Sequence, residues 1–421
     1  MILRVNKHRL ITYMFYCLLL SSTIGYTGYY MYTFSQGIDV YNNFSDISID
    51  GFYTYLFASS IKFLKDIIFV CLFILCMVDQ DSNVKKMNIV FCLFIAYGSI
   101  IAFLEGYSES ILGGIRGYLY FFVLLYFFYK IKSCNISLDT IRKIIYFALI
   151  TNFVVIMEQA YRGTNGLIFL AGTGGYRFTG LFGGFAPCSA FAVSVCLLFF
   201  VYSCYFTFSK VKSFFIVIAT LLIECMCGSR SGMICVILIG YIWMFKLINV
   251  KSIYKYFFML SSLGLVVAVV IKFVESIANR GSILEVQMES GRLKIFYDVI
   301  NGLFQNIFAL VFGHGLGAGS NTSVLMGRAG YAMESAPILD GTFNTILYQF
   351  GVLGVIAIVS ILLFLWLKLK NVPFDLKMAF YLIVFIEGIT GNIFENYAFL
   401  IIFFLTYRLM CNPHNFYAVR G

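Results

Sequence analysis

Four arginines stand where a guanidinium can do chemistry. Arg177 closes the glycine-rich run Ala171-Gly-Thr-Gly-Gly-Tyr-Arg177, and Arg230 sits between Ser229 and Ser231 in Cys227-Gly-Ser-Arg-Ser-Gly232. Arg292 ends Glu289-Ser-Gly-Arg292, and Arg116 opens Gly117-Tyr-Leu-Tyr-Phe-Phe. A guanidinium is planar, permanently charged and donates paired hydrogen bonds to phosphate oxygens. Backbone N–H groups of glycine-rich turns at helix starts add anion-binding donors. If these arginines share one membrane face, they suit a lipid-linked pyrophosphate. The competing role for any one of them is to snorkel to lipid phosphate as an interface anchor. Arg162 and Arg328, in open loop, read as anchors; Arg230, wedged between serines where two spans meet, reads as functional.

A group to accept a hydroxyl proton is less sharply marked. Asp340, just before a span that starts near Thr342, is the leading candidate. Glu289, Glu334 and the aspartates Asp39, Asp46 and Asp50 of the first loop remain open as alternatives. His314, in Phe312-Gly-His-Gly-Leu-Gly-Ala-Gly319, is a weaker candidate for base or ligand. Asp79-Gln-Asp81 has the look of a metal–nucleotide-sugar motif, but it lies beside Lys85 and Lys86 and reads as a solvated turn on the opposite face. Glu158, Glu224, Glu387 and Glu395 fall within apolar runs, where acids face the bundle interior or the interface.

The elements that must position these residues are membrane helices. Hydrophobic residues make up 61% of the 421 and charged residues 12%, against roughly 25% charged in soluble domains. The mean hydropathy is +0.89. A chain this apolar takes lipid as its solvent and must satisfy its backbone internally; its runs are too continuous for a β-barrel. Spans are predicted near 10–34, 56–78, 88–105, 117–131, 144–159, 179–208, 213–228, 231–246, 254–274, 342–367, 377–391 and 396–411. The expected fold is an all-α polytopic membrane protein of about 12 transmembrane helices in a single domain, 1–421. The basic amino end followed by an apolar run reads as an uncleaved first span.

Lysines mark one set of connections (Lys85/Lys86, Lys130/Lys132, Lys210/Lys212, Lys368/Lys370) and so the cytoplasmic face, with both termini inside. The other face carries mostly arginines. A net charge of +10 therefore points to anionic membrane lipid as partner, not to nucleic acid. The twelve cysteines lie mostly in apolar runs, and no Cys/His spacing suggests zinc; no metal or cofactor is expected. The longest external connection, 276–341, contains an amphipathic helix from Leu293 to Phe312 that presents Phe296, Val299/Ile300, Leu303 and Ile307 on one face. A thirteenth span there is the alternative. Without visible repeats or symmetric halves, a transporter or lipid-linked oligosaccharide flippase fits less well.

With those residues in view, the chain resembles the O-antigen polymerase (Wzy) family and its relative, the O-antigen ligase (WaaL) family. The resemblance rests on Tyr176-Arg-Phe-Thr-Gly-Leu-Phe-Gly183, Gly228-Ser-Arg-Ser-Gly232, Ser290-Gly-Arg292, Phe312-Gly-His-Gly-Leu-Gly317, and Asp340 followed by Asn344-Thr-Ile-Leu-Tyr-Gln-Phe-Gly-Val-Leu-Gly354. It covers most of the carboxyl-terminal two-thirds. It implies a C-type glycosyltransferase-like fold acting, without metal, on undecaprenyl-pyrophosphate-linked oligosaccharides at the outer (periplasmic) face of the inner membrane. It also implies a chain-length regulator as partner. Arg177, Arg230 and Arg292 would hold pyrophosphate, with Arg116, Ser229, Ser231, His314 and Glu289 contributing to substrate binding. The ligases carry a His where this chain has Asp340, which favours polymerase over ligase.

Overall fold

A computed structural model of the chain describes residues 7–24, 64–130, 136–162, 167–169, 176–182, 185–206, 209–247, 292–320, 339 and 341–413, with single positions at 257, 264 and 272. The first loop, most of the span at 254–274, Glu289, Glu334, Arg328 and Asp340 lie outside these residues.

The described chain is mostly helix. The helices are α1 (Lys7–Ile24), α2 (residues 64–77), α3 (Ser82–Leu104), α4 (Ile111–Lys130), α5 (Leu138–Arg162), α6 (Phe185–Tyr205), α7 (Lys210–Cys227), α8 (Arg230–Leu247), α9 (Arg292–Gln305), α10 (Ile307–Phe312), α11 (Thr342–Lys368), α12 (Phe374–Thr390) and α13 (Tyr397–Cys411). Five segments are long and apolar enough to cross a bilayer: Ser82–Leu104, Ser108–Lys130, Leu138–Tyr161, Ala186–Tyr205 and Thr342–Lys368. The chain is an α-helical membrane protein.

Helix α6 is the hub. It packs against α7, α8, α12 and α13, and 78% of its apolar window is buried, against 11% for α11. Lipid tails are as apolar as leucine, so helices in a membrane associate through close packing and polar contacts, not through hydrophobic burial alone. The apolar side chains of α3 and α11 that remain exposed, such as Val90, Leu93, Phe103, Leu363 and Leu367, are therefore in their proper solvent.

Two expectations are corrected, and one short sheet accompanies the helices. In that sheet, β1 (Leu167–Phe169) pairs antiparallel with β2 (Tyr176–Phe178), with Ile168 opposite Arg177. The amphipathic stretch is two helices, because the Asn306 side chain caps α10 by accepting from the N–H groups of Phe308 and Ala309 and so ends α9 at Gln305. Of its expected apolar face, Val299 and Leu303 are buried, whereas Ile307 is exposed. Asp79 is not in a solvated turn. It is buried, accepts a hydrogen bond from the Tyr126 hydroxyl, and shares Lys130 with Asp81, the two carboxylates lying 3.2 and 3.1 Å from the ammonium.

Candidate functional site at the helix hairpin

The turn between α7 and α8 is set by its glycine and serine. Gly228 takes the left-handed conformation (φ 59°, ψ 32°) that ends α7, and the Ser229 N–H donates to the Glu224 carbonyl at 3.2 Å. Ser229 then caps α8: its hydroxyl oxygen accepts from the Gly232 N–H at 3.1 Å. Arg230 is thereby fixed as the first residue of α8, half-buried, with Ser231 beside it and the two serine hydroxyls 3.4 Å apart.

Arg177 reaches this turn from 51 residues away. Its guanidinium donates to the Gly228 carbonyl at 3.3 Å. What aims it there is a clamp of buried polar side chains on α5. Asn152 accepts from the Leu181 N–H at 2.9 Å, and Gln159 accepts from the Gly180 N–H at 3.1 Å. Both are essentially inaccessible. They hold the short 3-10 turn Gly180–Phe182 that follows β2, so the strand carrying Arg177 cannot drift from the hairpin.

Beneath the turn lies Glu224, fully buried one turn before the end of α7. Its Oε2 accepts from the Ser189 hydroxyl of α6 at 2.6 Å. Ser189 is in turn 2.8 Å from the Ser229 hydroxyl. A Cβ on Gly232 would fall 1.9 Å from Glu224 Oε2 and 2.3 Å from Ser189 Oγ, so α8 approaches the acid only because this residue has no side chain. The hairpin thus gathers two cations, three hydroxyls and one interior carboxylate.

Other candidates fall elsewhere. Arg116 pairs with Asp66 at 3.3 Å, beside Lys65, whose ammonium lies 3.9 Å from the centroid of the Tyr397 ring. His314 Nδ1 lies 3.0 Å from Glu105 Oε2, with its ring packed against Tyr107 and Tyr348, whose hydroxyls are 2.9 Å apart. The loop that carries His314 is bound to α11, its N–H groups at 314 and 315 donating to the carbonyls of Tyr348 and Gln349 just before a kink at Gly351. Arg292 begins α9, which packs against α10 and α11. Among the described residues, no group of three or more His, Cys, Asp or Glu side chains is arranged to hold a metal ion.

Sequence reasoning missed Asn152, Gln159 and Ser189, and it set Glu224 aside as an interior acid. The signal was present as isolated polar residues in apolar runs, with Asn152 and Gln159 spaced seven apart on one helix face. No family model, curated protein or solved structure matches this chain.

Proposed function

We propose that this protein polymerises oligosaccharide repeat units. It transfers a growing glycan from undecaprenyl pyrophosphate onto a lipid-linked repeat unit at the outer face of a bacterial inner membrane, which it crosses about twelve times in a C-type glycosyltransferase-like fold. The observation that carries this reading is the meeting of Arg177 with the Gly228–Arg230 turn, which places two sequence-selected arginines at one helix start. Charge developing on a departing pyrophosphate is met there by fixed guanidinium groups and by hydroxyls, which is electrostatic stabilisation aimed at the leaving group. Arg292 is assigned to the same pyrophosphate work, and Asp340 is the sequence candidate for accepting the proton of the attacking sugar hydroxyl.

Further support comes from sidedness. Connections that the charge pattern places on one face touch one another: Arg177 with Gly228, His314 with Glu105, Thr342 with Gly391. Lys130 meets Asp79 and Asp81 on the face assigned to the cytoplasm.

The test is genetic. Deleting the gene in its host should reduce surface glycan to single repeat units, seen as loss of laddering on a polysaccharide gel. Arg177→Ala and Arg230→Ala should each fail to restore the ladder at wild-type membrane levels, and Arg→Lys should restore it only in part. Normal ladders with both arginines replaced would refute the pyrophosphate role.

A further inference from the structure

We infer that Glu224, in place of the sequence candidate Asp340, is the proton sink of this site, reached from the hairpin surface through a relay of Ser229 and Ser189; the inference rests on the polymerase reading above. Ser189 has one hydroxyl hydrogen. With Glu224 ionised, that hydrogen lies on the 2.6 Å contact to Oε2. The same hydroxyl is also placed to donate to the Ser229 oxygen at 2.8 Å, so its one hydrogen serves either the carboxylate or Ser229. The Ser229 oxygen still accepts from the Gly232 N–H and lies 3.4 Å from the Ser231 hydroxyl at the half-buried rim beside Arg230. With Glu224 ionised, the Ser189 hydrogen therefore points inward, toward the carboxylate. Once Glu224 takes a proton, that hydrogen turns outward: Glu224 donates to Ser189 and Ser189 to Ser229. A hydroxyl whose one hydrogen can turn between the carboxylate and Ser229, one position for each protonation state, is what moving a proton between rim and interior requires.

Glu224 also holds unused acceptor capacity, since Oε1 is buried with no hydrogen-bond partner. An interior carboxylate kept this way has no evident packing role, and an unsatisfied buried acceptor costs about 1–3 kcal/mol. The titratable side chains around it are Cys188 and Cys196 on α6, Cys225 and Cys227 on α7, Cys235 on α8, and Glu387 on α12. The nearest strand contributes Arg177, bound to the Gly228 carbonyl above.

The step balances without any added reagent. A sugar hydroxyl at the rim loses its proton into the relay as its oxygen lone pair forms a bond to the anomeric carbon of the donor. The anomeric C–O bond to pyrophosphate breaks, its electron pair leaving on the phosphate oxygen between the arginines. Glu224 ends protonated and later returns the proton to solvent by the reversed relay. Glu224 touches no substrate, so it acts by positioning and draining the proton, not as a catalytic residue in contact with the reacting atoms.

The test uses the full-length protein in liposomes with lipid-pyrophosphate-linked repeat units extracted from the deletion strain, following polymer formation across pH. Glu224→Gln, which preserves shape and acceptor oxygen, should slow polymerisation about 100-fold or more and remove the acid limb of the pH profile. Glu224→Asp should recover part of the rate. Asp340→Asn is the contrast. If Asp340→Asn removes the acid limb while Glu224→Gln retains both limb and rate, the relay is overturned. If Glu224→Gln fails to fold, judged by size-exclusion profile, Ser189→Ala decides: a lost limb supports the relay, and an unchanged rate and limb overturn it. Wild-type protein that forms no polymer would instead sink the polymerase reading itself.

Discussion

The hairpin and the glycine loop each bring an acid that is wholly or partly closed to solvent near a cationic or ionisable partner, yet they handle charge in opposite ways. In the loop, Glu105 and His314 touch directly, each with only about a sixth of its side chain exposed. At the hairpin, Ser189 and Ser229 stand between Glu224 and the rim where Arg230 begins its helix, and Arg177 is held by a carbonyl. Direct contact pairs acid with imidazole and locks two segments 209 residues apart. Interposed hydroxyls keep acid and cations as separate functions. The first arrangement suits a brace and the second suits chemistry.

That contrast can be broken by substitution. The largest expected effect is on activity: Arg230→Ala should lower polymer formation by about 100-fold or more with little change in the thermal midpoint of the detergent-solubilised protein. A large loss of stability instead would make Arg230 a brace. Gly232→Ala forces a methyl group onto Glu224 and Ser189, and should destabilise by about 1–3 kcal/mol, measured by chemical denaturation in micelles; an unchanged midpoint would show that the hairpin relaxes freely. His314→Ala strands Glu105 in its partly closed site and should cost roughly 1–3 kcal/mol. If it abolishes the ladder at unchanged stability, the glycine loop joins the site and the contrast fails.

Smaller effects belong to the partly exposed pairs. Asp66→Asn removes the partner of the partly exposed Arg116 and should cost no more than about 1 kcal/mol. Asp81 is partly exposed, and its hydrogen bond from Lys130, followed by that from the Asn83 N–H, holds its carboxyl below the usual range. The unfolded chain binds that proton more tightly than the folded one. Its contribution is therefore complete above the ordinary aspartate pKa of about 4 and fades as pH falls through the lower folded value. Melting curves should show a slight acid loss that Asp81→Asn removes.

Local sequence carried the helices well because a span announces itself by an unbroken apolar run. Thr342–Lys368, expected at 342–367, and Arg230–Leu247, expected at 231–246, lie within a residue of their forecast. Arg230 and its serines were legible for the same reason, since turn and cap chemistry is local. What escaped was long-range. Nothing near Asp79 signals that Lys130 will cover it, and nothing near Arg177 signals a strand docked on the 228–230 turn. Asn306 was overlooked because a helix period continues through it, although its side chain restarts the helix. The residues that join the site are isolated polar groups in apolar runs, which periodicity treats as noise and packing treats as anchors.

The kink at Gly351 divides α11 between two solvents. Before it, Thr342, Asn344, Thr345 and Gln349 are buried against protein; after it, Val352, Ile356, Val359, Leu363 and Leu367 are exposed. The second part, residues 352–368, is about 26 Å long at 1.5 Å per residue, close to the roughly 30 Å of a bilayer's hydrocarbon. The helix is thus expected to act as a depth gauge, with Gly351 at the level where lipid gives way to protein. Spin labels walked along Val352 to Leu367 should read that boundary directly as a step in accessibility to oxygen.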